Sequence, residues 1–257
     1  MSTTKPIRRV TIIGTGVIGA SWAALYLGKG LEVAATDIAL NAEAALKRFV
    51  HAAGPALKRL GLAPGASQSN LSFTLNIEAA VSGTDLVQEN GPERLDFKQK
   101  LCGQMDGLLP AEVVIASSSS GLTMSEIQSA YKSYPEGCVI GHPFNPPHLV
   151  PLVEIVGGAK TSEETIQCVA EFYKSIGRRT IRVRKEMPGH VDNRLQAALA
   201  REVYADQRQR LFQNIAAAMQ GVPDAIKQRQ ITLIAKCDPA FGAGVAKAVE
   251  HRIMAEA

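Results

Sequence analysis

The sequence predicts an α/β protein, a doubly wound and mainly parallel sheet followed by a short all-helical C-terminal domain, and three observations carry that reading. A β-branched run over residues 9–13 leads straight into Gly14-Thr15-Gly16-Val17-Ile18-Gly19 and then into an apolar helical pattern. Strand-like and helix-like segments alternate from there to Val183, the pattern of a parallel sheet covered on both faces. Beyond Met187-Pro188-Gly189 the alternation stops and only helical spacing remains. The boundary therefore falls there, with a Rossmann-type domain over residues 1–187 and a helical domain over 188–257. At 257 residues, 46% hydrophobic and 20% charged, the chain has apolar material for two cores and none of the bias of a disordered one.

Taken in order, the first strand and glycine turn open a helix running through Leu27, and a second strand over 31–36 ends at Asp37. Residues 41–62 form a long helix whose Lys47, Lys58 and Arg59 are either solvated or available to an anionic substrate, and a loop follows over 63–69. Strands over 70–74 and 85–88 each lead into a helix, 77–81 and 92–108, with Pro92 in the first turn of the latter. A buried-type strand over 112–116 runs into four serines, 117–120, and Gly121. A short helix over 125–131, a strand over 138–140 and a helix over 162–176 closed by Gly177 come next. In the last strand, 180–183, Arg182 and Arg184 alternate with Ile181 and Val183, which favours a solvated edge over an anion site.

The tail repeats Val191, Leu195, Leu199 and Val203, then Leu211, Ile215 and Met219, at helical spacing. The simplest reading is one helix of roughly thirty residues, about 45 Å long. Pro223 restarts the chain after Gly221, and Pro239, Gly242 and Gly244 break it again, so two shorter helices are expected after it. A long helix with two short partners leaves apolar surface uncovered, and a homodimer built on this tail is the expected remedy.

Composition removes several function classes. Aromatic residues are 5% of the chain and the net charge of +4 is dispersed, so neither a base-stacking platform nor a basic nucleic-acid surface is expected. The four cysteines show no metal-ligand spacing and no signal peptide precedes them, so they read as reduced thiols in a cytoplasmic protein without a metal site. No apolar run approaches the ~20 residues that a membrane span requires.

The candidate site starts at the glycine turn. Gly14 permits the turn, Gly16 lets backbone approach a pyrophosphate, Gly19 allows close helix packing, and Val17 and Ile18 open the helix whose N-terminus faces the phosphates. Asp37 stands about 20 residues further on, where a carboxylate accepts hydrogen bonds from ribose hydroxyls and repels a 2′-phosphate. The expected cofactor is NAD rather than NADP. The serine run is either a flexible loop or, at the C-terminal end of a parallel strand, part of the ligand crevice, with Ser118 on the cofactor. In GHPFNPPHLVPLVEIVGG, from Gly141 to Gly158, a rigid NPP corner separates His142 from Glu154. The two are either a general base with its orienting carboxylate or a structural histidine beside a strand-end glutamate.

Together these motifs resemble the 3-hydroxyacyl-CoA dehydrogenase family, and more closely its branch of carnitine 3-dehydrogenases and L-gulonate 3-dehydrogenase, or lambda-crystallin. The resemblance runs from about Arg9 to Leu199. It implies that His142 is the catalytic base and Glu154 its partner, that Ser120 holds the substrate oxygen, and that Asn193, in DNRLQ, is the active-site asparagine opening the helical domain. It also implies that Glu89, in VQENGPER, lies near the nicotinamide ribose. PFNPPHLVPLVE departs from the FFNP and Val-Pro of the acyl-CoA enzymes, and the stretch from Tyr204 onward has no match in the family's longer helical domain. The implied activity is NAD-dependent oxidation of the 3-hydroxyl of a small 3-hydroxy acid, carnitine- or gulonate-like. The alternatives are a short-chain 3-hydroxyacyl-CoA dehydrogenase and a crystallin-like, NADH-binding structural protein without turnover.

Overall fold

The computed structural model describes residues 6–196 and 205–256, and the chain divides into two compact units, Met1–Glu186 and Met187–Ala257. The first is organised on one eight-stranded sheet. Its strands are β1 (Arg9–Ile13), β2 (Glu32–Thr36), β3 (Leu71–Phe73), β4 (Leu86–Glu89), β5 (Val114–Ser117), β6 (Cys138–Pro143), β7 (Leu152–Gly157) and β8 (Arg179–Val183). They lie in the order β3-β2-β1-β4-β5-β6-β7-β8, and every pair is parallel except β6 with β7. The order reverses between β1 and β4, which opens a crevice beyond the carboxyl ends of those strands.

Each face of the sheet carries its own core. Helices α1 (Val17–Gly28), α2 (Ala42–Leu60) and α6 (Glu163–Ser175) cover one face, where Trp22, Tyr26, Leu46, Val50 and Tyr173 pack on Val10, Ile12, Val153 and Ile155. Between them in sequence come α3 (Ile77–Val81), α4 (Leu95–Asp106) and α5 (Met124–Gln128), and residues of all three enter the opposite core, where Leu101, Met105, Met124 and Ile127 meet Ile13, Val87, Ile115 and Ile140. Burial on both sides is why the central strands read as continuous apolar runs instead of alternating ones. In α2 the buried positions Leu46, Val50, Ala53 and Leu57 fall on one stripe, and the basic residues face away. Ser162 caps α6 by accepting the Thr165 N–H, and Gly177 ends it with φ of 81°. As its alternation predicts, β8 is an edge strand, with Arg182 paired to Glu163 at 2.7 Å and Ile181 exposed.

Two local expectations need correction. Pro92 precedes α4 instead of occupying its first turn: the helix starts at Leu95 with Arg94 at its cap, and Lys98 N–H donates back to the Arg94 carbonyl. In the second unit, α7 (Ala205–Ala218), α8 (Asp224–Cys237) and α9 (Pro239–Glu256) surround Phe212, Ile231, Phe241, Val245 and Val249. Residues 192–196 and α7 are helical, and the middle of the expected long helix, 197–204, lies outside the described residues. Two helices follow Pro223 as expected, and Pro239 marks the break between them by opening α9 after α8 ends at Cys237, whereas Gly242 and Gly244 do not break the chain and lie within α9. Proline opens a helix without losing a bond, because its missing N–H would have no intrahelical partner there. The glycines are sites of close approach, since a Cβ at 242 would sit 2.5 Å from the Ala235 Cβ and one at 244 would sit 2.3 Å from the Phe212 ring. Among the described residues no helix is long and apolar enough to cross a membrane.

Candidate active site

The carboxyl ends of β1, β4, β5 and β6 bring the first unit's candidate residues to one edge. Gly14 leaves β1 with φ of 83°, and a Cβ there would meet the Asn90 backbone at 2.8 Å. A Cβ on Gly19 would lie 1.9 Å from the Gly14 carbonyl oxygen, so helix α1 starts against the turn only because both positions are glycine. Gly16 is the N-cap, makes no side-chain capping bond and has nothing within 4 Å of the position of a Cβ. The first amides of α1 therefore face open space that an anionic diphosphate fits. Val17 is 63% exposed at that opening, and Ile18 is half-buried beside it. At the tip of β2, Asp37 accepts hydrogen bonds from Thr15 N–H at 2.6 Å, from the Thr15 hydroxyl at 3.0 Å and from Ala39 N–H at 2.8 Å. Its carboxylate is thus held beside the glycine turn, as a ribose acceptor requires.

His142 and Glu154 are directly opposed residues of the antiparallel β6–β7 pair, and His142 Nδ1 lies 2.8 Å from Glu154 Oε2. Their side chains are 10% and 1% exposed. Such a carboxylate orients the ring and accepts the Nδ1 proton, leaving Nε2 as the nitrogen that can accept one. The register also places Ser117 beside Ile140, so the serine turn leaves the sheet at the end of β6 that carries His142.

That serine turn is a defined structure. Glu93 Oε1 accepts hydrogen bonds from the Ser119 hydroxyl at 2.6 Å and from the backbone N–H groups of Ser120, Gly121 and Leu122 at 3.0, 2.7 and 3.2 Å. Beneath it, Glu89 accepts from Lys98 Nζ at 2.9 and 2.8 Å, from Gly91 N–H at 2.6 Å and from the Ser117 hydroxyl. Glu89 and Lys98 are each 1% exposed, so the Glu89 carboxylate belongs to a buried ion pair. Ser118 is engaged from within as well: it accepts from Trp22 Nε1 at 3.2 Å and Gln88 Nε2 at 3.0 Å and donates to Asn90 Oδ1 at 2.8 Å. Asn193 lies in the helical stretch 192–196 of the second unit. Among the described residues no group of acidic, histidine or cysteine side chains could hold a metal ion.

Sequence reasoning missed Lys98, Glu93 and Gln88. A signal for Lys98 was present, since it shares the apolar stripe of Leu101, Cys102 and Met105, where an unpaired ammonium would be costly. A second missed contact pins the NPP loop: the Ser21 hydroxyl oxygen accepts from His148 N–H at 3.0 Å and is hydrogen-bonded to His148 Nδ1 at 2.6 Å. Arg178 donates to the carbonyls of Pro147 and Val150 at 2.9 and 3.1 Å. Burial, and then the Arg178 charge, lower the His148 pKa, in keeping with a neutral ring whose Nδ1 is an acceptor.

Comparison with known proteins agrees with this architecture. Residues 9–187 match the family model described as 3-hydroxyacyl-CoA dehydrogenase, NAD binding domain. Residues 193–249 match a second model, described as catalase-related immune-responsive. The chain is 48% identical over 198 residues to the L-carnitine dehydrogenase of Streptomyces griseus, covering 77% of this chain and 59% of that one. It is 47% identical over 202 residues to the L-carnitine dehydrogenase of Pseudomonas aeruginosa, covering 79% and 63%. This chain thus spans about three fifths of the length of these relatives. Among solved structures, 5-formyl-3-hydroxy-2-methylpyridine 4-carboxylic acid 5-dehydrogenase, an NAD+-dependent dismutase, is similar with a TM-score of 0.72 and 35% identity, over 90% of this chain and 70% of that one. The glycine turn, the held aspartate and the histidine–glutamate pair all lie within residues 9–187, which match that family model, and the chain belongs to the 3-hydroxyacyl-CoA dehydrogenase family.

Proposed function

We propose that the protein is an NAD-dependent oxidoreductase that oxidises the 3-hydroxyl of a small 3-hydroxy acid, carnitine- or gulonate-like, to the 3-oxo product. The observation that carries this reading is the buried His142–Glu154 pair at 2.8 Å, at the sheet edge shared with the glycine turn. His142 Nε2 takes the hydroxyl proton, and Glu154 stabilises the imidazolium through Nδ1. Ser120 holds the substrate oxygen where charge develops. Gly14, Gly16, Val17, Ile18 and Gly19 cradle the diphosphate, and Asp37 takes the adenosine ribose. NAD, when bound, supplies the hydride acceptor. Glu89 and Ser118 act from beneath, by holding Lys98, Asn90 and the serine turn in place.

The test is a spectrophotometric screen of NAD reduction across 3-hydroxy acids and short 3-hydroxyacyl-CoAs, with His142→Ala beside the wild type. The variant should keep NADH binding and lose about 10²-fold or more in rate. Unchanged turnover in it would remove the mechanism. A second reading is an NADH-binding protein without turnover, and a screen with no active substrate would select it. We further propose that the helical segment 188–257 pairs two copies, with Ile226, 46% exposed on α8, on the shared surface. Sedimentation at micromolar concentration reads this directly. A cytoplasmic location belongs to the same reading: Cys102 and Cys138 are buried as free thiols, and burial pushes Cys102 up to about 12.

A further inference from the structure

His142 is held from the side by Glu154, and the face of β6 behind it is held by a different residue. Successive side chains of a strand point to opposite faces. His142 and Glu154 share one face, and the Gly141 and Ile155 pair faces the core formed by α1 and α6. In that core Tyr173 of α6 is fully buried, with its ring stacked on Trp22 at 5.3 Å and 19°. Its hydroxyl donates to Gln88 Oε1 at 2.8 Å, an oxygen that also accepts from the Tyr26 hydroxyl at 2.9 Å. The other end of Gln88 is committed too, because Nε2 donates to the Ala116 carbonyl at 3.3 Å and to Ser118 Oγ at 3.0 Å. The Tyr173 hydroxyl therefore has one place to be. A Cβ on Gly141 would lie 2.3 Å from that oxygen and 3.0 and 3.1 Å from the adjoining ring carbons Cζ and Cε2.

We propose that Tyr173 is a positioning residue for His142: its hydroxyl, anchored on Gln88, bears on Gly141 from the opposite face of the sheet and sets how far β6 presents the imidazole into the site. The glycine at 141 is what lets the phenol reach the strand. The same Gln88 reaches Ser118, which bonds Asn90 beside the glycine turn, so one buried amide ties the height of the catalytic strand to the cofactor end of the sheet. The inference rests on the role proposed for His142, but its geometry does not depend on turnover.

Four proteins test it: wild type, Gly141→Ala, Tyr173→Phe and the double variant, with kcat normalised to NADH-binding sites. Bringing a 2.3 Å contact to ordinary separation moves the strand by about 1 Å, and a displacement of that size near reacting atoms costs about 10²-fold. Gly141→Ala should therefore lose about that much in kcat while its Kd for NADH stays within about twofold. Tyr173→Phe removes the oxygen and leaves only the milder ring contacts, so the double variant should recover at least about tenfold over Gly141→Ala. A glycine needed for folding alone would show its loss in the number of NADH-binding sites and leave kcat per site unchanged. The side-chain nitrogen signals of His142, followed by NMR, should move in Gly141→Ala and return in the double variant. A wild type without turnover defeats the functional reading, and those signals then decide the positioning role alone. If Gly141→Ala does not fold, a folded, NADH-binding double variant is the same rescue. A double variant no better than the single, or a fully active Gly141→Ala, overturns the proposal.

Discussion

Replacing Lys98 by methionine should destabilise the first unit by about 3–5 kcal/mol, because it leaves the Glu89 carboxylate buried without its counter-charge. Both side chains are 1% exposed, and Lys98 Nζ meets the two Glu89 oxygens at 2.9 and 2.8 Å. Methionine keeps the apolar stem that packs with Leu101 and Met105, so the loss isolates the charge. The Gly91 N–H and the Ser117 hydroxyl remain as donors to Glu89 and do not replace an ammonium. At about 2–4 °C per kcal/mol for a unit of this size, the melting temperature should fall by about 6–20 °C. Trp22 is the chain's single tryptophan, is fully buried in the first unit and bonds Ser118, so its fluorescence reports unfolding of that unit alone. The control is Glu89→Gln with Lys98→Met, which removes both charges together. Neutral replacement of a whole buried pair is often nearly without cost, so the double variant should recover at least about half of the lost stability. A single variant melting within about 2 °C of wild type, or a double variant less stable than the single, would refute the reasoning.

Three other outcomes follow from the site. Glu154→Gln keeps a hydrogen-bond partner for His142 and removes the charge that stabilises the imidazolium, so kcat should fall by about 10²–10⁴-fold with NADH affinity unchanged; equal kcat in stopped-flow turnover would show that the carboxylate is only structural. Asp37→Ala should weaken NADH binding and narrow the preference over NADPH, because the ribose acceptor and the repulsion of a 2′-phosphate go together, and calorimetric titration of both cofactors reads the ratio. For His148 the folded-state pKa is lowered below the ordinary 6.5, so its contribution to stability is complete above pH 6.5 and is lost as pH falls through the depressed value. His148→Asn keeps an acceptor for the Ser21 hydroxyl without the titration, so its melting temperature should fall less steeply than that of wild type below pH 6.5; parallel curves would exclude His148 as the source.

The sequence by itself determined what local periodicity and backbone chemistry can determine. The run Val10 to Ile13 with its three glycines specifies a strand, a left-handed turn and a helix, because no other residue reaches φ of 83° at Gly14 or tolerates the contact at Gly19. Asp37 was legible from its distance to that turn, and Ser162 with Gly177 marked both ends of α6. His142 and Glu154 were legible as a pair of chemical types around a rigid corner. That they face each other was decided by the antiparallel register of β6 and β7, the one antiparallel pairing in the sheet, since a slip of one residue would send the two side chains to opposite faces. The partners of Glu89, Ser118 and Gly141 were likewise settled only in three dimensions. Lys98 is drawn to Glu89 because burial of α4 leaves its ammonium no water, and Ser118 is claimed by Trp22 and Gln88 because α1 packs over β4 and β5. In the tail, Gly242 and Gly244 carry the local signature of helix breakers, yet their helix continues because neighbours at Ala235 and Phe212 occupy the space their missing side chains leave. Periodicity names the face a residue is on; packing and register choose the atom it meets, and the chemistry of this site depends on the second.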